Sequence, residues 1–188
     1  MQALAHALQP YFDRPCAFFG HSLGALIGFE LARALARQND FVPVHLFVSG
    51  HSAPQVPNNE EAVHLLPEPE FIQKLDSLSG TPAEVLQNAE LMELFLPVLR
   101  TDFAINETYT YTPGPPLECP LSAFGGLQDK MFTPADQEGW RDQTHNAFTL
   151  RLLPGDHFFL HSARPLLLRA VVQDLSQSLS RLNGNRQS

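Results

Sequence analysis

Short, continuously apolar runs alternate along this chain with longer stretches of helical period. Cys16-Ala-Phe-Phe-Gly20 is unbroken apolar sequence, the pattern of a strand buried on both faces, and Val44-His-Leu-Phe-Val-Ser-Gly50 reads as a second buried strand. Between them, residues 25–37 are strong helix formers with Leu26, Ile27 and Phe29 among the apolar positions. Strand, tight turn, helix, strand is a βαβ unit, so a parallel sheet with a right-handed crossover is expected. The rhythm resumes with Pro120-Leu-Ser-Ala-Phe-Gly125 as a strand, 134–142 as a helix with proline near its first position, and Phe148-Thr-Leu-Arg-Leu-Leu153 as a strand. A final helix begins near Ala163, and its Leu168, Val171, Val172, Leu175, Leu179 and Leu182 form one apolar stripe ahead of a polar tail at 183–188. At the other end, Leu4, Leu8, Tyr11 and Phe12 recur at helical spacing and predict a docking helix over 2–12.

Residues 54–115 break the pattern. They hold eight of the sixteen prolines and three helix-like pieces, 68–78, 82–88 and 89–103, with a turn at Gly80-Thr81-Pro82 and a kink expected at Pro97. The last piece carries Leu91, Leu94, Phe95, Val98 and Leu99. An all-helical insertion within an α/β pattern is expected to be a lid over the strand ends, against the plainer alternative of a helical cap with no part in binding. The division that follows is a core of 1–53 and 116–188 and a helical lid insertion of 54–115.

A length of 188 residues suits one domain that buries a core without staples. Twelve Lys+Arg against twenty Asp+Glu give a net charge of −8, and the ten arginines are scattered, which argues against nucleic acid or an anionic membrane as partner. Cys16 and Cys119 sit beside apolar runs in neither a disulfide framework nor a metal-ligand spacing, and read as core thiols of a reducing compartment. No stretch approaches the ~20 apolar residues of a membrane span, and the N-terminus lacks the basic and apolar regions of a secretory signal. A soluble, cytoplasmic protein is expected.

The chemistry concentrates at strand ends. Gly20-His21-Ser22-Leu23-Gly24 fits G-x-S-x-G, the nucleophile elbow, between an apolar strand and a helix. The serine sits on a strained turn, so its neighbours must be small, and the helix N-terminus beneath it favours developing negative charge. Gly50-His51-Ser52 repeats the triplet after another strand, but Ala53-Pro54 follows with no helix, so Ser52 reads as a loop serine. An activated serine needs a base, and the base an orienting carboxylate. His157, in Pro154-Gly-Asp-His157, lies just past a strand. His161 follows at the i+4 spacing of metal-binding pairs, but without the glutamate or third ligand of a site, so no metal is expected. His21 reads as a residue that packs or hydrogen-bonds locally rather than acting as the base, and His6, His45, His64 and His145 as core or cap residues. For the carboxylate, Asp129 ends Phe124-Gly-Gly-Leu-Gln-Asp129 beyond a strand, whereas Asp156 adjoins His157 too closely to face its ring, and Asp136 and Asp142 fall on the following helix. The order Ser22, Asp129, His157 is that of α/β-hydrolases.

With these motifs the chain resembles the type II thioesterases that accompany nonribosomal peptide and polyketide synthases, and more distantly the medium-chain acyl thioesterases of animal fatty-acid synthesis. The resemblance runs over nearly the whole chain, through residues 18–24, 45–50, 80–82, 96–103, Glu107-Thr-Tyr109, 124–129 and Pro154-Gly-Asp-His-Phe-Phe-Leu160. It implies an α/β-hydrolase fold, a triad of Ser22, Asp129 and His157, and a mobile lid at 54–115. It implies as substrate an acyl or aminoacyl thioester on the phosphopantetheine arm of a carrier protein, cleaved to clear mis-primed or stalled chains without metal or organic cofactor. One oxyanion donor would be the backbone N–H of Leu23. The family's second donor comes from an early loop, and fifteen residues before the first strand leave a deficit of roughly 50–70 at about 30 per βα unit. The expectation is therefore an α/β-hydrolase lacking its N-terminal strands, with little activity from the 188 residues alone. A general carboxylester hydrolase using the same triad is the first alternative. The second is a non-catalytic fragment that binds carrier proteins or pairs its exposed strand edge.

Overall fold

In the computed structural model, which describes residues 1–38, 41–57, 62–78, 80 and 83–185, the apolar runs become four strands. β1 (Phe18–His21), β2 (Leu46–Ser49), β3 (Leu121–Gly126) and β4 (Phe148–Leu153) pair in parallel in the order β1-β2-β3-β4. The register sets His21 beside Ser49, Ser49 beside Phe124 and Phe124 beside Arg151, so the carboxyl ends of all four strands share one edge. Around the sheet's sequence run α1 (Gln2–Leu8), α2 (Leu23–Arg37), α6 (Pro134–Glu138), α7 (Phe159–Ser162) and α8 (Arg164–Asn185). The chain divides into two compact units, one of Met1–Val56 with Pro113–Ser188 and one of Pro57–Thr112. Among the described residues no helix is long and apolar enough to cross a membrane.

Within the first unit, β2 is buried along its whole length, as its apolar run requires. Phe47, Phe124, Leu153, Phe159, Ala163, Leu167 and Ala170 form one core cluster, and Ala5, Leu31 and Leu35 form another with Leu4, Leu8, Phe12, Phe18 and Phe41. Burial pushes the thiol of Cys119 up to about 12, which makes it an inert core group.

Four details differ from the sequence pattern. The first helix stops at Leu8 and tightens into a 3-10 turn over Gln9–Tyr11, because Pro10 has no N–H to continue the ladder, and Tyr11 is left exposed. β1 is covered on one face only: Gly20 is buried and Phe18 packs beside α2, whereas Phe19 on the other face is 47% exposed. His6 and His145, read as core or cap residues, are exposed. Finally, α8 runs into the expected tail as far as Asn185 and buries only part of the expected stripe, Val171 and Leu175 packing partly buried against the core cluster. Leu167, Ala170, Asp174 and Ser178 are buried, while Leu168, Val172, Leu179 and Leu182 are exposed.

Polar satisfaction accounts for that rotation of α8. Both guanidinium nitrogens Nη1 and Nη2 of Arg151 donate to the Asp174 carboxylate at 2.5 and 2.6 Å, and Ser122 Oγ donates to it at 2.7 Å. The hydroxyl of Ser122 being so used, its oxygen accepts from His45 Nε2 at 2.9 Å, which leaves His45 Nδ1 to accept from Ser178 Oγ at 2.8 Å. The buried acid, hydroxyls and imidazole are thus mutually bonded across β2, β3, β4 and α8.

The second unit comprises a 3-10 turn at Val63–Leu65, α3 (Glu68–Ser77), α4 (Ala83–Leu86) and α5 (Ala89–Glu107). Thr81 and Pro82, at the expected turn and helix start, lie outside the described residues. Val63, Phe71, Leu75, Met92 and Leu96 make its core. Asn88 caps α5 by accepting from Leu91 N at 3.1 Å, and the helix continues through Pro97 four residues beyond its expected end. Glu107 closes the unit: its carboxylate accepts from the backbone N–H groups of Val63 and His64 at 3.1 Å each and pairs with the His64 ring.

Candidate active site

The carboxyl edge of the sheet carries the candidate groups because each follows directly on a strand. Ser22 is the turn between β1 and α2, with φ 53° and ψ −127°, a positive φ that among the described residues it shares only with glycines. The turn is forced by its neighbours. Ser22 N donates to Ser49 O at 2.8 Å and Ala25 N to Ser22 O at 2.9 Å. A Cβ on Gly20 would lie 2.0 Å from the Gly24 carbonyl oxygen, so the chain can double back only over glycine. Gly24 itself is not required in this way: a Cβ there meets nothing within 4 Å. A serine at a helix N-cap ordinarily bonds the first turn, but the Ser22 side chain makes no cap bond, which leaves its hydroxyl for other work. Leu23, the first residue of α2, has an N–H with no acceptor inside its own helix.

Asp129 and His157 come from the loops after β3 and β4, and those loops are knitted together. Leu127 N donates to Leu153 O at 2.8 Å, Gln128 N to Gly155 O at 2.9 Å, and Gly155 N to Gln128 Oε1 at 2.6 Å. The approach is so close that a Cβ on Gly126 would sit 2.2 Å from Asp156 O. Across this seam His157 Nδ1 and Asp129 Oδ2 are 3.0 Å apart, with the imidazole 7% and the carboxylate 0% exposed. The second oxygen of Asp129 accepts from Met131 N at 2.9 Å, which fixes the carboxylate's orientation. Asp156 instead accepts from Phe158 N at 2.9 Å and shapes the turn that presents His157. Thr133 and Asp136 form the capping box of α6. The His157 ring lies 4.9 Å from that of His21 and 5.1 Å, edge on, from that of Phe158.

An N-cap serine with a free hydroxyl and a buried His–Asp pair on one sheet edge are the parts of a nucleophilic hydrolase. A family model for the thioesterase domain matches residues 1–178. The chain belongs to the thioesterase family. It is 46% identical over 175 residues to the gramicidin S biosynthesis protein GrsT of Aneurinibacillus migulanus, a match covering 93% of this chain and 68% of that protein. Its fold is shared by solved thioesterase structures. The thioesterase RedJ from the prodiginine pathway of Streptomyces coelicolor superposes with a TM-score of 0.84 at 38% identity, over 90% of this chain and 68% of that one. The type II thioesterase BorB from the borrelidin biosynthetic cluster gives 0.81 at 37%, over 93% and 72%.

Several groups of this thioesterase escaped a reading of its sequence. Gln128 and Gly126 set the distance between the Asp129 and His157 loops, and only the Gly-Gly doublet at a strand end hinted at that. Trp140, wholly buried, donates from Nε1 to His51 O at 3.0 Å and anchors the segment after β2. His21, expected to pack or hydrogen-bond locally, touches the ring of His157, 136 positions away in sequence.

Proposed function

We propose that the protein is a serine thioesterase that hydrolyses acyl or aminoacyl thioesters from the phosphopantetheine arm of carrier proteins, clearing mis-primed or stalled synthases. The observation that carries this reading is the 3.0 Å pairing of a buried His157 with a buried Asp129 at the sheet edge where Ser22 forms its elbow. In this reading Ser22 is the nucleophile. His157 Nε2 takes the hydroxyl proton as Oγ attacks the thioester carbonyl, while Nδ1–H stays bonded to Asp129, whose charge offsets the imidazolium. The N–H of Leu23, at the positive end of α2, stabilises the oxyanion. Collapse of the tetrahedral species breaks the C–S bond, and the imidazolium returns the proton to the departing thiolate. Water, deprotonated by the same imidazole, then frees the acid from Ser22. These steps use this chain's side chains and the Leu23 backbone N–H, with the substrate and water. The biosynthetic settings of GrsT, RedJ and BorB support carrier-bound substrates, and the same setting favours a cytoplasmic location. The helical insertion expected over 54–115, whose compact part is Pro57–Thr112, is proposed to serve as the lid.

Release of free thiol from acyl-phosphopantetheinyl carrier protein, measured alongside hydrolysis of a free lipophilic ester, tests this reading. Ser22→Ala is expected to remove about 10⁴-fold or more of the turnover, since loss of a triad nucleophile is of that order. Wild-type rates in Ser22→Ala would overturn the mechanism. Equal efficiency on the free ester and the carrier-bound thioester would replace it with a general ester hydrolase.

A further inference from the structure

His21 sits where two strand ends and two loops meet. Its Nδ1 lies 3.0 Å from Ser49 Oγ, and the backbone oxygen of that same serine accepts the N–H of Ser22. One residue of β2 therefore holds both the elbow and the ring that precedes it. The ring lies 4.9 Å from that of His157 at a tilt of 44°, 5.8 Å from Phe158 and 5.9 Å from Phe159. Space for both imidazoles comes from Gly50, at φ 60°: a Cβ there would fall 2.6 Å from His21 Cε1 and 3.3 Å from His157 Cε1. His21 Nε2 is buried and, among the described residues, has no partner. A residue kept only for packing would not need an imidazole with one orphaned nitrogen.

We infer that His21 is a positioning residue for the base: its ring, fastened to β2 through Ser49, is the wall against which His157 is held while it takes up and returns a proton. The inference rests on the thioesterase mechanism proposed above. Charge is consistent with it. Burial first, and then the neighbouring His157, hold the pKa of His21 down to about 4; Asp129 acts in the opposite sense, and His161 and His51 add to the lowering. Above about pH 5 the wall is uncharged, so the imidazolium of His157 forms without a cation beside it. Such coupling is reciprocal, and a charge at position 21 would oppose proton uptake at His157.

Three variants test the role: H21A, H21Q, which keeps a partner for Ser49 without the ring, and H21F, which keeps a ring without the bond. Each is assayed for kcat and KM on acyl-carrier thioester, and by NMR for the downfield Nδ1–H proton that His157 shares with Asp129. H21A and H21Q are expected to lose tenfold or more in kcat with KM within twofold, and to broaden that resonance. H21F is expected to recover kcat to within threefold and to sharpen it. Wild-type kcat and a sharp resonance in H21Q would overturn the inference, as would an H21F as impaired as H21Q, or a change confined to KM. If H21A does not fold, the contrast between H21Q and H21F still decides. The NMR signal is read without turnover, so a failure of Ser22-dependent hydrolysis would remove the mechanism and leave the His21–His157 coupling separately measured.

Discussion

Ser22 occupies a backbone conformation that costs a non-glycine residue about 1–3 kcal/mol, and surrounding bonds rather than its own side chain keep it there. Ser22→Gly is therefore expected to be more stable than Ser22→Ala by about 1 kcal/mol, both being inactive, and paired urea midpoints check this. Gly20→Ala goes the other way. Its Cβ would meet the Gly24 carbonyl at 2.0 Å, a backbone atom that cannot turn aside, so a loss above about 3 kcal/mol or no folded protein is expected in the same measurement. Asp129→Asn keeps the shape of a buried group but removes the charge that faces His157. A fall in kcat of about 10³-fold or more with an unchanged melting temperature is expected from steady-state assays and a thermal scan. Ser22, Asp129 and His157 could be picked out in the sequence as candidates because each follows a recognisable strand within a few positions, and the structure brings Asp129 and His157 to 3.0 Å. The partnership of His21 with His157 could not, because a ring-to-ring contact across so many residues leaves no local trace.

At the scale of elements, the two seams differ in what they do. The β3 and β4 loops are joined by backbone bonds and by Gln128, a rigid mount for the His–Asp pair. In the helical unit, one carboxylate does the joining: Glu107, at the end of α5, accepts two adjacent backbone N–H groups and the ring of His64, and Arg100 donates to His64 O at 2.8 Å. Glu107→Ala leaves those donors without an acceptor, and a destabilisation of about 2–3 kcal/mol confined to this unit is expected. Amide hydrogen exchange would show it as faster exchange at Val63 and His64 with unchanged rates in β2 and β3. Helix and strand types were readable from period and run length, while their ends moved where a proline intervened, as at Pro10, or where a helix ran on past its expected end, as α5 does to Glu107. The orientation of α8 was misread because counting apolar residues assigns no burial to an aspartate and a serine that bring their own partners.

For the molecule as a whole, the same network sets acid sensitivity. His45 ties β2 to β3 and α8, and burial, outweighing the favourable charge of Asp174, lowers its pKa from an ordinary 6.5 to about 4. In the unfolded chain this imidazole protonates first, so its contribution to stability is complete above pH 6.5 and is lost as pH falls toward 4. A loss on the order of 2 kcal/mol is expected across that window, allowing for water reaching the ring as it charges. His21 adds to it with the same sign. Urea unfolding at pH 7.0, 5.5 and 4.5 measures the slope, which His45→Gln should flatten. By itself the sequence determined the βαβ alternation, the helical break in it and the strand-end motif with its order of serine, aspartate and histidine, since these rest on contacts within a few residues and on the period of each element. Only the tertiary structure decided which strand ends meet, which face of α8 is buried, and which second imidazole stands against His157. Those choices come from packing and hydrogen bonding between residues far apart in the chain, where the requirement that every buried polar group find a partner overrides local pattern.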